Sequence, residues 1–276
     1  MEDPRMPATT LKITLSGDWV SAIMDTLMLV VAIVSAWYAY RAYQHQKDRS
    51  RKESACNLAQ YYASNIIDKY SDISMVFDSA GITGVIQKAF DLRDLQNFDK
   101  EELLDFLKKS EMPFEVFEEK LTRIDPKYLL GARMSRACSA DDRTNTMCNY
   151  TTSDENGGVK IINGTYLQID FEREISGLLN ELEWFAMNCQ YGLADEELLY
   201  QSLHQTYLST VWMLYFFISI RNVNNEDKLY TNVSWLFTKW RDRLVELTDA
   251  KEAERQALLE KASSVKAPVY SGSKLK

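Results

Sequence analysis

The sequence predicts a mainly α-helical protein: an N-terminal transmembrane helix continues into a cytoplasmic helical bundle, with one polar insertion that either holds a small hairpin or runs as a surface loop. Three observations lead there. Of 276 residues, 46% are hydrophobic, and 15 Tyr, 11 Phe and 6 Trp stand against only 10 Gly and 5 Pro, which suits long packed helices better than a turn-rich sheet. An apolar run lies near the start of the chain. Apolar side chains then recur at helical spacing through most of the remaining chain. The length leaves room for one or two domains of ordinary size beyond an anchor.

The run from Val20 to Tyr40 is about 21 residues, which at about 1.5 Å each spans a hydrocarbon core of about 30 Å. Trp19 stands at one end and Trp37, Tyr38, Tyr40 and Tyr43 at the other, where amphipathic rings favour the headgroup levels; Arg41 opens the cationic side. These interface residues divide the start of the chain into an extracytoplasmic N-terminus, 1–18, and a transmembrane helix, 19–40. Asp25 is the exception, about two turns inside the first edge, placed to reach headgroups or face a neighbouring helix. Only Arg5 and Lys12 precede the run, whereas Arg41, Lys47, Arg49, Arg51 and Lys52 come at once after it, so the positive-inside rule puts the C-terminal side in the cytoplasm. Two alternatives stay open. Val34–Ala36 has the small-residue look of a signal cleavage site, although a removable signal carries its basic residues before the apolar stretch, and a buried helix of a soluble protein has similar composition.

A net charge of -8 argues against non-specific nucleic-acid binding over the whole surface, and no nucleic-acid partner is expected. Cys56, Cys138, Cys148 and Cys189 would form two disulfides in an exported chain, where the Asn149–Thr151, Asn163–Thr165 and Asn232–Ser234 triplets would be glycan acceptors; a cytoplasmic address keeps the thiols reduced. No metal site is expected, because the cysteines lack close pair spacing and His45 and His204 are isolated in sequence.

Residues 41–132 read as the first part of the helical domain. Ala55, Leu58, Tyr62, Ile66 and Ile67 carry a helical stripe on from the apolar run. Gly81 and Gly84 mark a turn, and Asp99 followed by Glu102 resembles a capping box opening Lys100 to Lys109. Pro113 starts a helix with Phe114, Phe117 and Leu121 on one face, ending near Asp125–Pro126. Residues 133–165 are the polar insertion, with no Gly-Lys pattern of a phosphate cradle. Residues 166–264 form the second part. Phe171, Ile175, Leu178, Leu182, Phe185 and Cys189 make one face, Trp184 and Met187 lie on the other, and Gly192 is the stop. Asp195 caps the next helix, whose run from Tyr207 to Arg221 is read as buried rather than as a second span because its apolar part is about 14 residues. Leu229, Val233, Leu236, Phe237, Trp240, Leu244 and Leu247 line the last helix, a charged extension comes next, and 265–276 form a disordered tail.

The runs Leu178–Asn222, Tyr230–Arg243 and Arg51–Asp68, with Asn180, Glu183, Gly192, Asp195, Arg221 and Trp240 as their recognisable points, resemble an uncharacterised family of bacterial single-pass membrane-anchored helical proteins. The polar insertion stands outside the resemblance. What it implies is a fold and an address at the bacterial inner membrane, and no activity.

Glu183, at the margin of an apolar stripe, calls for a partner, and Arg221 is the expected one. Asn180, Glu183, Tyr200 and Arg221 are therefore the candidate polar cluster, either structural or lining a ligand pocket, while His204 reads as an ordinary helix residue. No cofactor and no catalytic residue is expected. Two function classes remain: a membrane-tethered sensor or adaptor binding a protein partner or small signal, as an oligomer, in a stress or anti-phage response; or a membrane-anchored enzyme with its site around Glu183.

Overall fold

The computed structural model describes residues 18–136, 142–143, 149–153, 159–161, 163–222 and 228–264. The expected N-terminal segment before residue 18, Cys138 and Cys148, much of the insertion, and the tail fall outside them. The chain divides into two compact units, Met1–Ser50 and Arg51–Lys276.

The first unit holds most of α1, a single helix from Asp18 to Tyr61. Trp19 and all side chains from Ile23 to Tyr43 are exposed, and Met28 reaches 69%. A helix apolar all round has no solvated face to offer, and among the described residues nothing in the unit covers it. It is long and apolar enough to cross a bilayer, alone in this among the described residues. At its far edge Trp37 and Tyr38 meet edge to face at 5.0 Å, and the Arg41 guanidinium lies 5.4 Å from the Trp37 ring.

In the second unit the end of α1 passes into a π-helical turn, Tyr62–Ile66, in which the N–H of Ile67 donates to the Tyr62 carbonyl. Side chains serve neighbouring carbonyls: Ser64 donates to Gln60 at 2.9 Å and Asn65 to Tyr61 at 3.1 Å. The extra residue turns both Tyr62 and Ile66 fully inward. Helix α2 (Ile67–Ser79) then runs to Gly81, whose φ of 70° admits the reversal into α3 (Ile82–Ala89).

Helix α4 (Lys100–Lys109) begins as the sequence suggested, with Asp99 accepting from the N–H of Glu102 at 2.9 Å. The second half of the box differs. Instead of returning to Asp99, the Glu102 carboxylate accepts from the backbone N–H groups of Gln96, Asn97 and Phe98. Helices α5 (Phe114–Thr122) and α6 (Pro126–Arg136) come next, and Pro126 opens a helix rather than only closing one. Two short strands form within the insertion: β1 (Thr151–Ser153) pairs antiparallel with β2 (Val159–Ile161), Thr151 opposite Ile161.

Three long helices complete the unit: α7 (Gly164–Gln190), α8 (Glu196–Ser219) and α9 (Thr231–Ser264). All six residues assigned to the apolar face of α7 are buried, Trp184 is exposed, and Gly192 at φ 64° ends the segment. The Asp195 carboxylate caps α8 at the Leu198 N–H, 3.3 Å away. The stretch considered as a second span is an interior helix, with Tyr207, Val211, Leu214, Tyr215, Phe216 and Ile218 fully enclosed by protein. In α9, Val233, Leu236, Phe237 and Trp240 are completely buried; Leu229, which precedes the helix, and Leu247 are exposed, so both drop out of the stripe. Rings interlock across the core: Trp240 meets Phe185, Tyr200 and Tyr207, while Tyr215 meets Phe90, Phe98 and Phe106.

Candidate functional site

One face of α7 carries Glu172, Ser176, Asn180 and Glu183 at spacings of four, four and three residues, so the four line up along the helix. Glu183 reaches the start of α9. One carboxylate oxygen accepts from the Asn232 backbone N–H at 3.2 Å and its side-chain amide at 2.5 Å; the other accepts from the Val233 N–H at 3.0 Å. A negative group from one helix thus satisfies free N–H groups at the positive end of another.

Arg221, just past the end of α8, donates to the Ser176 hydroxyl at 2.8 Å and to the Tyr230 hydroxyl at 3.0 Å. The expected Glu183–Arg221 pair is therefore replaced by two separate sets of bonds at two levels of the same stripe. Asn180 lies between them on the surface, exposed.

Tyr200 belongs to another cluster. Its ring stacks on His204 at 4.5 Å, carries the Arg243 guanidinium 3.8 Å from its centroid and meets the edge of Trp240. Burial pushes the Tyr200 pKa upward, and among the described residues its enclosed hydroxyl has no hydrogen-bond partner. Arg243 also grips Glu197 with two bonds of 2.6 Å and holds that carboxyl below its usual range. Glu196 accepts from the Trp240 indole at 2.6 Å and Lys239 at 2.7 Å. His204 bonds the Tyr200 carbonyl one helical turn back, at 2.7 Å.

Asn222 was not anticipated. Almost wholly buried at 1%, it donates to the Phe98 and Leu229 carbonyls at 2.9 and 3.1 Å and accepts from the Leu229 N–H at 2.7 Å, tying both sides of the α8–α9 connection to the turn before α4. Its position directly after Arg221 at the end of an apolar helix was the only cue. Ser176 and Tyr230 carried no individual signal, and Asn232 was visible only as a glycan triplet, a role its engagement with Glu183 does not favour.

Clefts border these groups. One of about 170 Å³ is lined by Thr122, Glu172, Ile175, Phe217, Ile220 and Arg221. A second of about 450 Å³ lies between Phe90, Leu92, Leu208, Trp212 and Leu244, and a third of about 570 Å³ is bordered by Asp94, Asp99, Glu101 and Asp105, with Lys109 and Lys228. Among the described residues no group of three or more His, Cys, Asp or Glu is placed to hold a metal. What the arrangement offers chemically is recognition by charge, hydroxyl groups and small apolar surfaces.

The molecule is of the class in which a mainly helical domain follows a long, exposed apolar helix. The chain belongs to the family described as a domain of unknown function, DUF4760, whose model matches residues 26–240. That match begins inside the apolar helix, takes in most of it and runs through the polar insertion. No curated protein and no solved structure matches the chain.

Proposed function

We propose that the protein is a membrane-tethered binding module. Its N-terminal helix is a retained single-pass anchor at the bacterial inner membrane, N-terminus outside, and its helical domain is a cytoplasmic sensor or adaptor that takes a small signal or a protein partner, working as an oligomer in stress or anti-phage defence. The observation that carries this reading is the apolar side chains from Ile23 to Tyr43, all exposed within their own unit and followed directly by a basic collar. Lipid is the solvent that such a surface prefers. Binding is favoured over catalysis at Glu183 because both of its oxygens are committed to the start of α9, leaving it in a structural role. A cytoplasmic reporter fused after Lys276 should be active and remain in the membrane pellet through an alkaline wash; activity only outside, or release by the wash, overturns the anchor. A metabolite panel screened by thermal shift on the full chain in detergent tests recognition, with a saturable shift expected and silence across the panel counting against a small-molecule sensor.

A further inference from the structure

The cleft at Arg221 combines features that its size makes selective. It lies between α5, α7 and the end of α8. Its apolar surface comes from Ile175, Phe217 and Ile220, and its two charges are of opposite sign: Arg221 and Glu172. Arg221 is half-buried, yet both of its hydrogen-bond partners, Ser176 and Tyr230, are neutral hydroxyls, and among the described residues it makes no ion pair. A guanidinium has five N–H donors, so several remain for a planar anion. Glu172 is exposed and its carboxylate accepts one bond, from the Gln168 amide at 3.2 Å, with no cation on it among the described residues. The neighbouring cations are turned elsewhere: Arg123 pairs with Glu119 at 3.3 Å and Arg173 with Asp170 at 3.2 Å. Thr122 spends its hydroxyl hydrogen on the Glu118 carbonyl at 2.7 Å, so toward the cleft it presents an acceptor.

A volume of about 170 Å³ falls well below the roughly 300–1,000 Å³ of a drug-sized site. Nucleotides are too large. A phosphate would use Arg221 but would meet Glu172 as a like charge and leave the Ile175–Phe217–Ile220 surface without a partner. We infer that this cleft binds a small zwitterion of the aliphatic α-amino-acid class, its carboxylate on Arg221, its ammonium facing Glu172 and Thr122, and its side chain on Ile175, Phe217 and Ile220. The inference rests on reading the helical domain as a binding module and names the class of signal for it.

The test is equilibrium titration of the full chain in detergent with L-leucine, 4-methylpentanoate, which lacks the ammonium, and 3-methylbutylamine, which lacks the carboxylate. Leucine should bind saturably and each truncated analogue at least about tenfold more weakly, the usual effect of losing one charge-assisted bond. Glu172→Gln, at an exposed position, should weaken leucine about tenfold and leave 4-methylpentanoate unchanged, a split that a merely structural role would not produce. Arg221→Lys should weaken both acids. Equal binding of leucine and its analogues, or an unchanged leucine affinity in Glu172→Gln, overturns the assignment. If leucine is silent while another panel compound binds with an affinity indifferent to both substitutions, the cleft assignment falls and the module reading stands. Silence to every compound removes the cleft assignment and the small-signal form of the module reading, and leaves a protein partner as its occupant.

Discussion

The Tyr215 hydroxyl on α8 donates to the Glu102 carboxylate on α4 at 2.8 Å, and that same carboxylate gathers the N–H groups of Gln96, Asn97 and Phe98. One acidic side chain thereby closes the turn before its own helix and ties it to the interior helix of the domain. A carboxylate suits this position because it is acceptor-only, with room for several donors on two oxygens. Glu102→Gln brings an NH₂ group against backbone donors. The expected loss is about 2 kcal/mol, in the range for hydrogen bonds to a charged group. Denaturant unfolding of the full chain in detergent measures it, and a change within about 0.5 kcal/mol would reduce Glu102 to an ordinary surface residue.

Glu183 does for α9 what Glu102 does for the turn before α4. Glu183→Ala leaves the N–H groups of Asn232 and Val233 without their acceptor, and about 1–2 kcal/mol of stability should go with the cap. Amide exchange gives a local readout. Protection should fall at the first turn of α9 and persist in α8; uniform loss through both helices would mean that the residue acts on packing instead.

Alkaline stability is governed by three enclosed tyrosines. Burial is the main cause that raises the pKa of Tyr62, Tyr207 and Tyr215 above 10, and for Tyr215 the Glu102 charge adds to it. Below pH 10 both folded and unfolded states hold these protons, so stability is insensitive to them. Above pH 10 the unfolded chain releases protons that the native state keeps, and stability falls by up to about 1.4 kcal/mol per pH unit for each tyrosine. The denaturation midpoint measured from pH 8 to 11 should therefore bend downward, gently from about 9 where the raised Cys189 thiol contributes and more steeply from about 10. Tyr207→Phe should make the slope shallower, and a flat profile to pH 11 would contradict the enclosure of these rings.

The two described thiols should differ sharply in reactivity. Burial pushes Cys189 up to about 12, with Glu196 adding to the rise, whereas Cys56 is exposed. At pH 8 that leaves Cys189 about three orders of magnitude less thiolate than an ordinary cysteine, before any steric protection. Timed alkylation mapped by mass spectrometry should modify Cys56 first and Cys189 only on unfolding. Comparable rates would place Cys189 at the surface.

Much of the architecture was legible because periodicity and punctuation act locally. The stripe of Phe171, Ile175, Leu178, Leu182, Phe185 and Cys189 faces inward in the fold, and Asp99, Asp195 and Gly192 end or begin helices where their chemistry requires it. The site was harder to read. Glu183, Tyr200 and Arg221 each have close partners, yet these are Asn232, Arg243 and Ser176, none of which the sequence pattern marked as a partner. Sequence showed that a half-buried charge needs satisfying, without showing which neighbour arrives, since the contacts are set by how α7, α8 and α9 cross.

The helical class, the apolar run with its aromatic and basic border, and the inward face of each long helix were all written in the order of the amino acids, because each is a consequence of side-chain spacing along one element. Packing in three dimensions was needed to place the Tyr207–Arg221 stretch inside a folded domain, to make Glu102 and Glu183 cap backbone from a distance, and to set Arg221 and Glu172 on the border of one cleft. Those outcomes depend on groups from different elements meeting at hydrogen-bond range, and one-dimensional spacing carries no information about the angle or register at which two helices meet.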